Sequence, residues 1–376
     1  MTGRLLRRCV LDARKRKSGV GVVRGFPIRS DSKPRLMVVA TAVPPFVLDQ
    51  SDVAKRVEYA FGSQRDIRYL LPIFGNAGIS RRYSCVPVEW YSEPHGWKER
   101  NELYLVNAVS LLEEVTLALL EKAKIARDAI DAIVTVSTTG IATPSLDALL
   151  VEKLQLRRDI KRLPIFGLGC AGGVTGLARA ADLARSMPGK TVLFLVVELC
   201  ALTFRKNDFS NSNIVALALF GDGAAGALIS TEGEGPAFGA SGEYTWPGAL
   251  DVMGWGVEED GLRAIFSASI PGLIHNNMRT IADGFLEANG LSRADIDLFA
   301  SHPGGAKVLT ALEAAFDLAD GALEESRATL DAYGNMSAAT VLFVLDRMNW
   351  RDPKQRILMT AMGPGFSATF QLLGER

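Results

Sequence analysis

Residues 163–173 read Leu-Pro-Ile-Phe-Gly-Leu-Gly-Cys-Ala-Gly-Gly, and they join an apolar run to a helical pattern that starts at Val174. The run predicts a buried strand, and the glycines permit a sharp turn in front of the helix. Cys170 is therefore expected at a helix N-terminus, where unpaired N–H groups and the helix dipole favour a thiolate. An inert buried cysteine would give the same pattern, so this segment alone leaves both interpretations open.

Two further residues bear on that choice. His302 follows a strand-like run at 296–301 and precedes Pro-Gly-Gly, whereas Asn335 stands just before a helical run at 337–349. Each has a structural alternative, a satisfied histidine or an N-cap asparagine. Together with Cys170 they form a Cys/His/Asn set in which a base and an amide can serve one thiolate.

Composition limits the class of protein. The 376 residues are 48% hydrophobic and carry 42 basic against 42 acidic side chains. We expect a large core in two coupled lobes and no bulk charge that would recruit nucleic acid. No uninterrupted apolar run reaches the ~18 residues of a membrane span, so no integral membrane segment is expected. The four cysteines lack metal-ligand spacing, which favours a reducing, cytoplasmic location.

The N-terminal extension, residues 1–34, departs from this balance. It holds ten Lys or Arg and two acids, a net charge of +8. It lacks the apolar core of a secretory signal. A peripheral contact with anionic lipid or a partner protein fits this charge, and so does a solvated tail.

From Pro34 onward, helical and strand patterns alternate, which predicts an α/β fold. One apolar run, 214–220, is interpreted as a strand. Two pairs of segments are similar: 127–134 with 293–300, and 220–225 with 362–367. Their common order predicts an internally duplicated unit, with Cys170 in the first copy and His302 and Asn335 in the second. A shared site would then lie between the two copies.

This residue set suggests a chemistry. A thiolate forms a thioester from an activated acyl donor, and a neighbouring imidazolium would lower the pKa of the thiol. A histidine N–H and an asparagine NH₂ that converge on one point form an oxyanion hole. Such a hole could stabilise the enolate that a malonyl thioester gives when it loses CO₂, and the enolate would then attack the acyl group on the cysteine.

The sequence resembles the thiolase superfamily and, within it, the type III polyketide synthases related to chalcone and stilbene synthases. The resemblance spans roughly residues 35–376 and rests on the strings 169–173, 197–204, 218–225, 302–305, 333–337 and 363–365. It implies a duplicated αβαβα layered fold, divided into residues 35–232 and 233–376. It also implies a homodimer that needs no cofactor or metal and takes malonyl-CoA and acyl-CoA, or an acyl carrier protein, as substrates.

The resemblance assigns roles by position. Cys170 corresponds to the acyl-carrying nucleophile, and His302 and Asn335 to its catalytic partners. The remaining matched positions shape the cavity or meet coenzyme A. Expected substrate-binding residues are Phe220, Glu198, Cys200, Thr203, Thr139, Ala264, Ser337, Gly363, Pro364 and Gly365. Expected contacts to coenzyme A phosphates are Arg81 and Arg82, although a solvated basic pair is the alternative for these two.

Departures from the plant enzymes bear on the substrate. The plant enzymes have a threonine where this chain has Cys200 and a second gating phenylalanine near Ala264, and smaller side chains at such positions open volume beyond the cavity. These changes resemble bacterial alkylresorcinol and alkylpyrone synthases, which accept long fatty acyl starters. The sequence therefore predicts iterative condensation of malonyl-CoA onto a long acyl starter. The alternatives are a single-round ketoacyl synthase and a catalytically silent thiolase-fold binding module.

Overall fold

The structure is a computed structural model that describes residues 33–62, 71–352 and 354–374. Apart from residues 33 and 34, the basic extension lies outside this range, and so do the two interpretations of it.

The described residues form thirteen strands and ten helices. The strands are β1 (Arg35–Ala42), β2 (Phe46–Asp49), β3 (Arg81–Ser84), β4 (Ile130–Val136), β5 (Lys161–Ile165), β6 (Thr191–Leu199), β7 (Asp222–Ser230), β8 (Phe238–Thr245), β9 (Met253–Glu258), β10 (Gly261–Phe266), β11 (Leu298–Ser301), β12 (Ile357–Gly363) and β13 (Ser367–Leu373). The helices are α1 (Gln50–Gly62), α2 (Pro72–Asn76), α3 (Trp97–Ala123), α4 (Leu146–Lys153), α5 (Gly172–Ser186), α6 (Asn211–Leu219), α7 (Ile270–Glu287), α8 (Ala306–Phe316), α9 (Glu324–Tyr333) and α10 (Thr340–Arg347).

Two mixed sheets repeat one strand order. The first sheet runs β1-β7-β6-β4-β5, with β4 parallel to both β5 and β6 and antiparallel pairing elsewhere. The second runs β8-β13-β12-β11, with β11 parallel to β12 and the other pairs antiparallel. Both similar segment pairs lie at equivalent places: 127–134 and 293–300 lead into β4 and β11, and the glycine-rich strings precede β7 and β13.

The sheets and helices stack in five layers. Helices α5 and α10 lie between the two sheets, and their apolar residues share one core with both sheets; Val174, Phe194, Leu342 and Met359 are members of it. Helix α3 covers the outer face of the first sheet, and α7 and α8 cover that of the second. The prediction of an αβαβα layered fold is confirmed.

The strand predicted at 214–220 is wrong, because residues 214–219 belong to α6 and Phe220 follows its end. The side chain of Ser210 accepts a hydrogen bond from the backbone N–H of Asn213 and caps this helix. Ile214 and Ala218 then pack against α1 and α2. A short apolar run is compatible with either structure, and here the cap and the tertiary contacts select the helix.

Helix α3 is the one described helix that is long and apolar enough to cross a membrane by length and composition. Its apolar residues Leu112, Val115 and Leu119 are buried against the first sheet. The core of the protein therefore accounts for its apolar composition.

Candidate active site

Cys170 lies in a 3-10 turn, Gly169–Ala171, immediately before α5. Gly169 has φ +47°, and a Cβ there would approach Cδ of Pro364 to 2.6 Å. A Cβ on Gly173 would collide with the carbonyl oxygen of Ala338. Only glycines therefore allow the turn to press against two segments of the second half of the chain. The cysteine itself is buried, with 7% of its surface exposed.

Asn335 is held by both its backbone and its side chain. Its N–H donates to the carbonyl of Leu219 (2.8 Å), and its own carbonyl accepts from Gly221 N–H (3.1 Å). Its Oδ1 accepts from the backbone N–H of Ser337 (2.8 Å), and Nδ2 donates to the carbonyl of Gly304 (3.2 Å). The amide therefore has a defined orientation and one remaining N–H to donate.

His302 follows β11 directly, and its backbone N–H donates to Thr360 (2.8 Å). The side chain is 2% exposed, and within the described chain neither ring nitrogen has a hydrogen-bond partner. Because Asn335 binds the carbonyl of Gly304, two residues beyond His302, the segments that carry the two residues are joined. A buried imidazole without a partner is uncommon and marks a candidate functional group.

Electrostatic interactions place Asn335 and Ser337 beside the thiol. Burial raises the pKa of Cys170 to about 11, and side-chain hydrogen bonding with Ser337 and Asn335 opposes this rise. Burial also lowers the pKa of His302 to about 3. The predicted lowering of the thiol pKa by an imidazolium is therefore wrong, because the interior favours the uncharged form of both groups.

Glu198 is fully buried near Cys170, and its charge contributes to the raised thiol pKa. Its Oε2 accepts from Thr138 N–H (3.0 Å) and Thr139 Oγ1 (2.9 Å), and its Oε1 accepts from Thr138 Oγ1 (2.8 Å). Burial raises the pKa of Glu198 to about 7 despite these bonds. Thr138 was missed in the sequence, since nothing in its neighbourhood there indicated a carboxylate partner.

A cavity of about 760 Å³ opens between α1 and α6. Cys200, Thr203 and Phe220 line it, as their predicted roles require, together with apolar residues that include Leu48, Val57 and Phe204. Lys55, Arg56 and Tyr59 of α1 also belong to its wall.

Phe220 connects this cavity with the polar site. Its backbone pairs with Asn335 in a parallel bridge, while its ring lies 5.9 Å from Trp255 and 5.5 Å from Phe266, between ring centroids. Cys200, Ala216 and Ala264 complete the same small apolar cluster. Ala264 thus contacts the Phe220 cluster without lining the cavity.

The remaining predicted residues surround Cys170 from the other half of the chain. Ser337 has φ +47°, a strained conformation for a residue with a Cβ. A Cβ on Gly363 would lie 2.5 Å from the carbonyl oxygen of Leu168 and 2.7 Å from Cβ of Ala171. The turn at Gly363, Pro364 and Gly365 therefore packs directly on the cysteine turn.

The two arginines have different environments. Arg81 is exposed, whereas Arg82 is 1% exposed and donates from Nη1 to the carbonyls of Leu217 (2.6 Å) and Phe220 (2.7 Å). Of the pair, only Arg81 has the exposure expected of a contact to coenzyme A phosphates. Sequence reasoning missed the burial of Arg82, because two adjacent arginines resemble a solvated pair.

The aspartate in the string 218–225 is a further residue whose part the sequence did not reveal. Asp222 is fully buried, and its carboxylate accepts from the backbone N–H groups of Cys85 (2.9 Å) and Ala201 (2.7 Å). Burial raises its pKa to about 7. These bonds connect the end of β3 and the turn around Cys200 to the start of β7.

Across the described ranges, no three His, Cys, Asp or Glu side chains are grouped to hold a metal.

Comparison with known proteins gives one consistent result. Residues 26–233 match the family described as chalcone and stilbene synthases, N-terminal domain, and residues 241–372 match the C-terminal domain of the same family. A putative chalcone synthase of Bacillus subtilis is 35% identical over 90% of this chain and 97% of its own length. The 1,3,6,8-tetrahydroxynaphthalene synthase of Streptomyces peucetius is 37% identical over 91% and 93%.

Two more distant relatives, both polyketide synthases by name, are consistent with this family. The alpha-pyrone synthesis polyketide synthase-like Pks18 of Mycobacterium tuberculosis is 27% identical over 87% of each chain. The crystal structure of the tetrahydroxynaphthalene synthase of Streptomyces coelicolor, a bacterial type III polyketide synthase, superimposes with a TM-score of 0.85 at 26% identity. That alignment covers 91% of this chain and 99% of that one.

Proposed function

Because the chain belongs to the chalcone and stilbene synthase family of type III polyketide synthases, we propose that Cys170, His302 and Asn335 are its catalytic residues. Enzymes of this family are acyltransferases that form carbon–carbon bonds, use coenzyme A thioesters as substrates and need no cofactor. The catalytically silent alternative is thereby excluded, and the single-round ketoacyl synthase is disfavoured.

Loading begins at a neutral thiol and a neutral imidazole. The sulfur of Cys170 attacks the thioester carbonyl carbon as its proton passes to His302, and the same proton then protonates the departing thiolate of coenzyme A. The unpartnered ring nitrogens of His302 leave it ready to accept that proton. Burial keeps the imidazole neutral, so one of its ring nitrogens is unprotonated when the thioester binds.

Extension requires an oxyanion site. Loss of CO₂ from the malonyl thioester leaves negative charge on the thioester oxygen, and the free N–H of Asn335 with an N–H of His302 would stabilise it. Each donor of this kind contributes about 3 kcal/mol. The enolate carbon then attacks the acyl carbonyl on Cys170, and the sulfur leaves as the new carbon–carbon bond forms.

The cavity beside Phe220 and Cys200 supports a long fatty acyl starter. Its volume of about 760 Å³ lies well within the range of small-molecule sites, and most of its wall is apolar. Phe220, which lines the cavity together with Cys200, is also bridged to Asn335 through its backbone. We propose that the acyl tail occupies this space during two or three extensions. The extended chain then cyclises to an alkylpyrone or alkylresorcinol.

Incubation of the enzyme with acyl-CoAs of graded length and ¹³C-labelled malonyl-CoA tests the proposal. We expect cyclic products whose mass contains the starter chain and two or three labelled units. A β-ketoacyl product with one unit would instead indicate the single-round ketoacyl synthase.

A second candidate product follows from the relative in Streptomyces peucetius, which is named for a naphthalene that carries no alkyl chain. Its higher identity to this chain favours it, whereas the apolar cavity favours an alkyl product. A labelled aromatic product that forms equally well without any acyl-CoA would establish this second candidate.

A homodimer formed through β5 fits the surface of the first sheet. This strand is an edge strand of that sheet, and Leu163 within it and Phe166 just after it are 39% and 62% exposed. Exposed apolar side chains of this size can be covered by the same surface of another copy. Light scattering should give twice the mass of the chain, and a Leu163→Lys substitution should shift that mass toward the monomer.

We also propose that the two halves of the duplication divide near residue 233.

A further inference from the structure

Arg82 is an internal arginine that lies outside the three proposed catalytic residues. Within the described chain its guanidinium has no carboxylate at ion-pair distance, and Nε and Nη2 have no hydrogen-bond partner. Burial lowers its pKa only to about 10, so the group is charged at neutral pH. Its charge interacts with the buried Asp222 only from beyond ion-pair distance. A buried charge without a direct ion pair is costly, which makes its contacts informative.

The first set of contacts is to the C-terminal end of α6. Helices leave their last carbonyls without intrahelical partners, and cations are favoured there by the helix dipole. Nη1 of Arg82 donates to two such carbonyls, those of Leu217 and Phe220, at 2.6 and 2.7 Å. The arginine thus fixes the backbone of Phe220, a residue that lines the cavity and is bridged to Asn335.

The second set of contacts is to the segment of Asn335. The preceding Gly334 has φ +67°, and a Cβ there would lie 2.6 Å from Cγ of Arg82 and 2.7 Å from the carbonyl oxygen of Leu219. The backbone of Asn335 in turn pairs with Leu219 and Gly221 on both sides of Phe220. The side chain of Arg82 therefore contacts both backbone segments, the end of α6 and the segment that carries Asn335.

We propose that Arg82 is a positioning residue that sets Asn335 relative to Phe220, and so aligns the amide donor with the malonyl thioester at the end of the acyl cavity. This inference rests on the proposed role of Asn335 in decarboxylation. It differs from a contact to coenzyme A phosphates, because Arg82 is 1% exposed and its Nη1 donates to two backbone carbonyls, so that it acts through Asn335.

The test compares Arg82→Met, Arg82→Lys and a control, Arg279→Met. Arg279 also donates to helix-terminal carbonyls, those of Ala314 and Ala315 at the end of α8, away from Asn335. For each folded variant we would measure kcat and KM for malonyl-CoA decarboxylation, together with the rate of Cys170 acylation. Asn335→Ala serves as the reference for the proposed function.

For Arg82→Met we expect kcat for decarboxylation to fall about 10- to 100-fold with KM nearly unchanged, and to fall further than the acylation rate. Lysine keeps a charge that can reach one carbonyl, so Arg82→Lys should recover part of the loss and remains informative if methionine prevents folding. Arg279→Met should behave as the native enzyme.

Two outcomes would overturn the inference. A rise in KM at unchanged kcat would make Arg82 a phosphate ligand, and equal losses in both steps would leave it a structural role only. If Asn335→Ala itself decarboxylates at the native rate, the proposed function fails. If Asn335→Ala is slow but the Arg82 variants decarboxylate at the native rate, the proposed function stands and only the inference about Arg82 fails.

Discussion

The backbone N–H of Ser337 donates a 2.8 Å hydrogen bond to Oδ1 of Asn335, and this bond determines which end of the amide is free to donate. The oxygen is occupied, so the NH₂ group is the end that interacts with Cys170 and that, in our proposal, binds the thioester. The strained φ of Ser337, +47°, is part of the geometry that makes the bond. An aspartate at position 335 would keep the bond from Ser337 but lose both N–H donors.

Asn335→Ala and Asn335→Asp should therefore each slow malonyl-CoA decarboxylation by about 10²–10³, as the loss of an oxyanion donor does. Release of CO₂ from labelled malonyl-CoA measures this rate. Asn107→Ala is a matched control, because the side-chain amide of Asn107 donates to the carbonyl of Leu103 one turn earlier in α3. A native rate in both Asn335 variants would remove the residue from the site.

His302→Ala should slow the same reaction by about 10²–10³ and should also slow acylation of Cys170, since the imidazole serves both as oxyanion donor and as base. Rapid quenching after mixing with acyl-CoA separates the two steps. Loss of decarboxylation with native acylation would show that the proton of the thiol goes elsewhere.

Glu198→Gln should make Cys170 more reactive toward iodoacetamide, because the charge of Glu198 raises the pKa of the thiol. The pKa of Glu198 is about 7, so the carboxylate is charged above that pH and neutral below it. We expect the variant to react about three- to tenfold faster than the native enzyme at pH 8.5 and equally fast at pH 5.5. A difference that persists at the lower pH would point to rearranged packing around Thr138 and Thr139.

Cys200→Phe should shift starter preference toward shorter acyl chains, because Cys200 lines the apolar cavity beside Phe220. The added ring would cost a long tail about tenfold or more in kcat/KM while sparing a short one. Cys200→Ser, which changes polarity with little change in volume, is the control. An unchanged chain-length profile in Cys200→Phe would place the tail outside this cavity.

The duplicated unit and the candidate Cys/His/Asn set could be predicted from the sequence, because both leave local patterns in it. The glycines around Cys170 and the strings before β7 and β13 are signals of that kind. What it missed depends on contacts between distant segments. The run 214–220 was ambiguous until its cap at Ser210 and its contacts with α1 were known.

The electrostatic environment of the site was also beyond reach of the sequence. In the sequence Arg82 resembles a surface residue, whereas in the structure it is buried against the C-terminal end of α6. The lowered thiol pKa expected for Cys170 assumed a charged histidine, whereas burial of both groups favours their neutral forms. Burial is a property of the assembled layers, and no local pattern reports it.

The central claim is that Cys170 carries the growing acyl chain, and mass spectrometry of the intact protein tests it most directly. After incubation with a long-chain acyl-CoA, the native enzyme should gain the mass of one acyl group, mapped to Cys170 by peptide analysis. Cys170→Ala should gain none although it is folded, while Cys85→Ala, which removes another buried thiol, should still be acylated. Acylation of Cys170→Ala, or an adduct on a different residue of the native enzyme, would contradict the account.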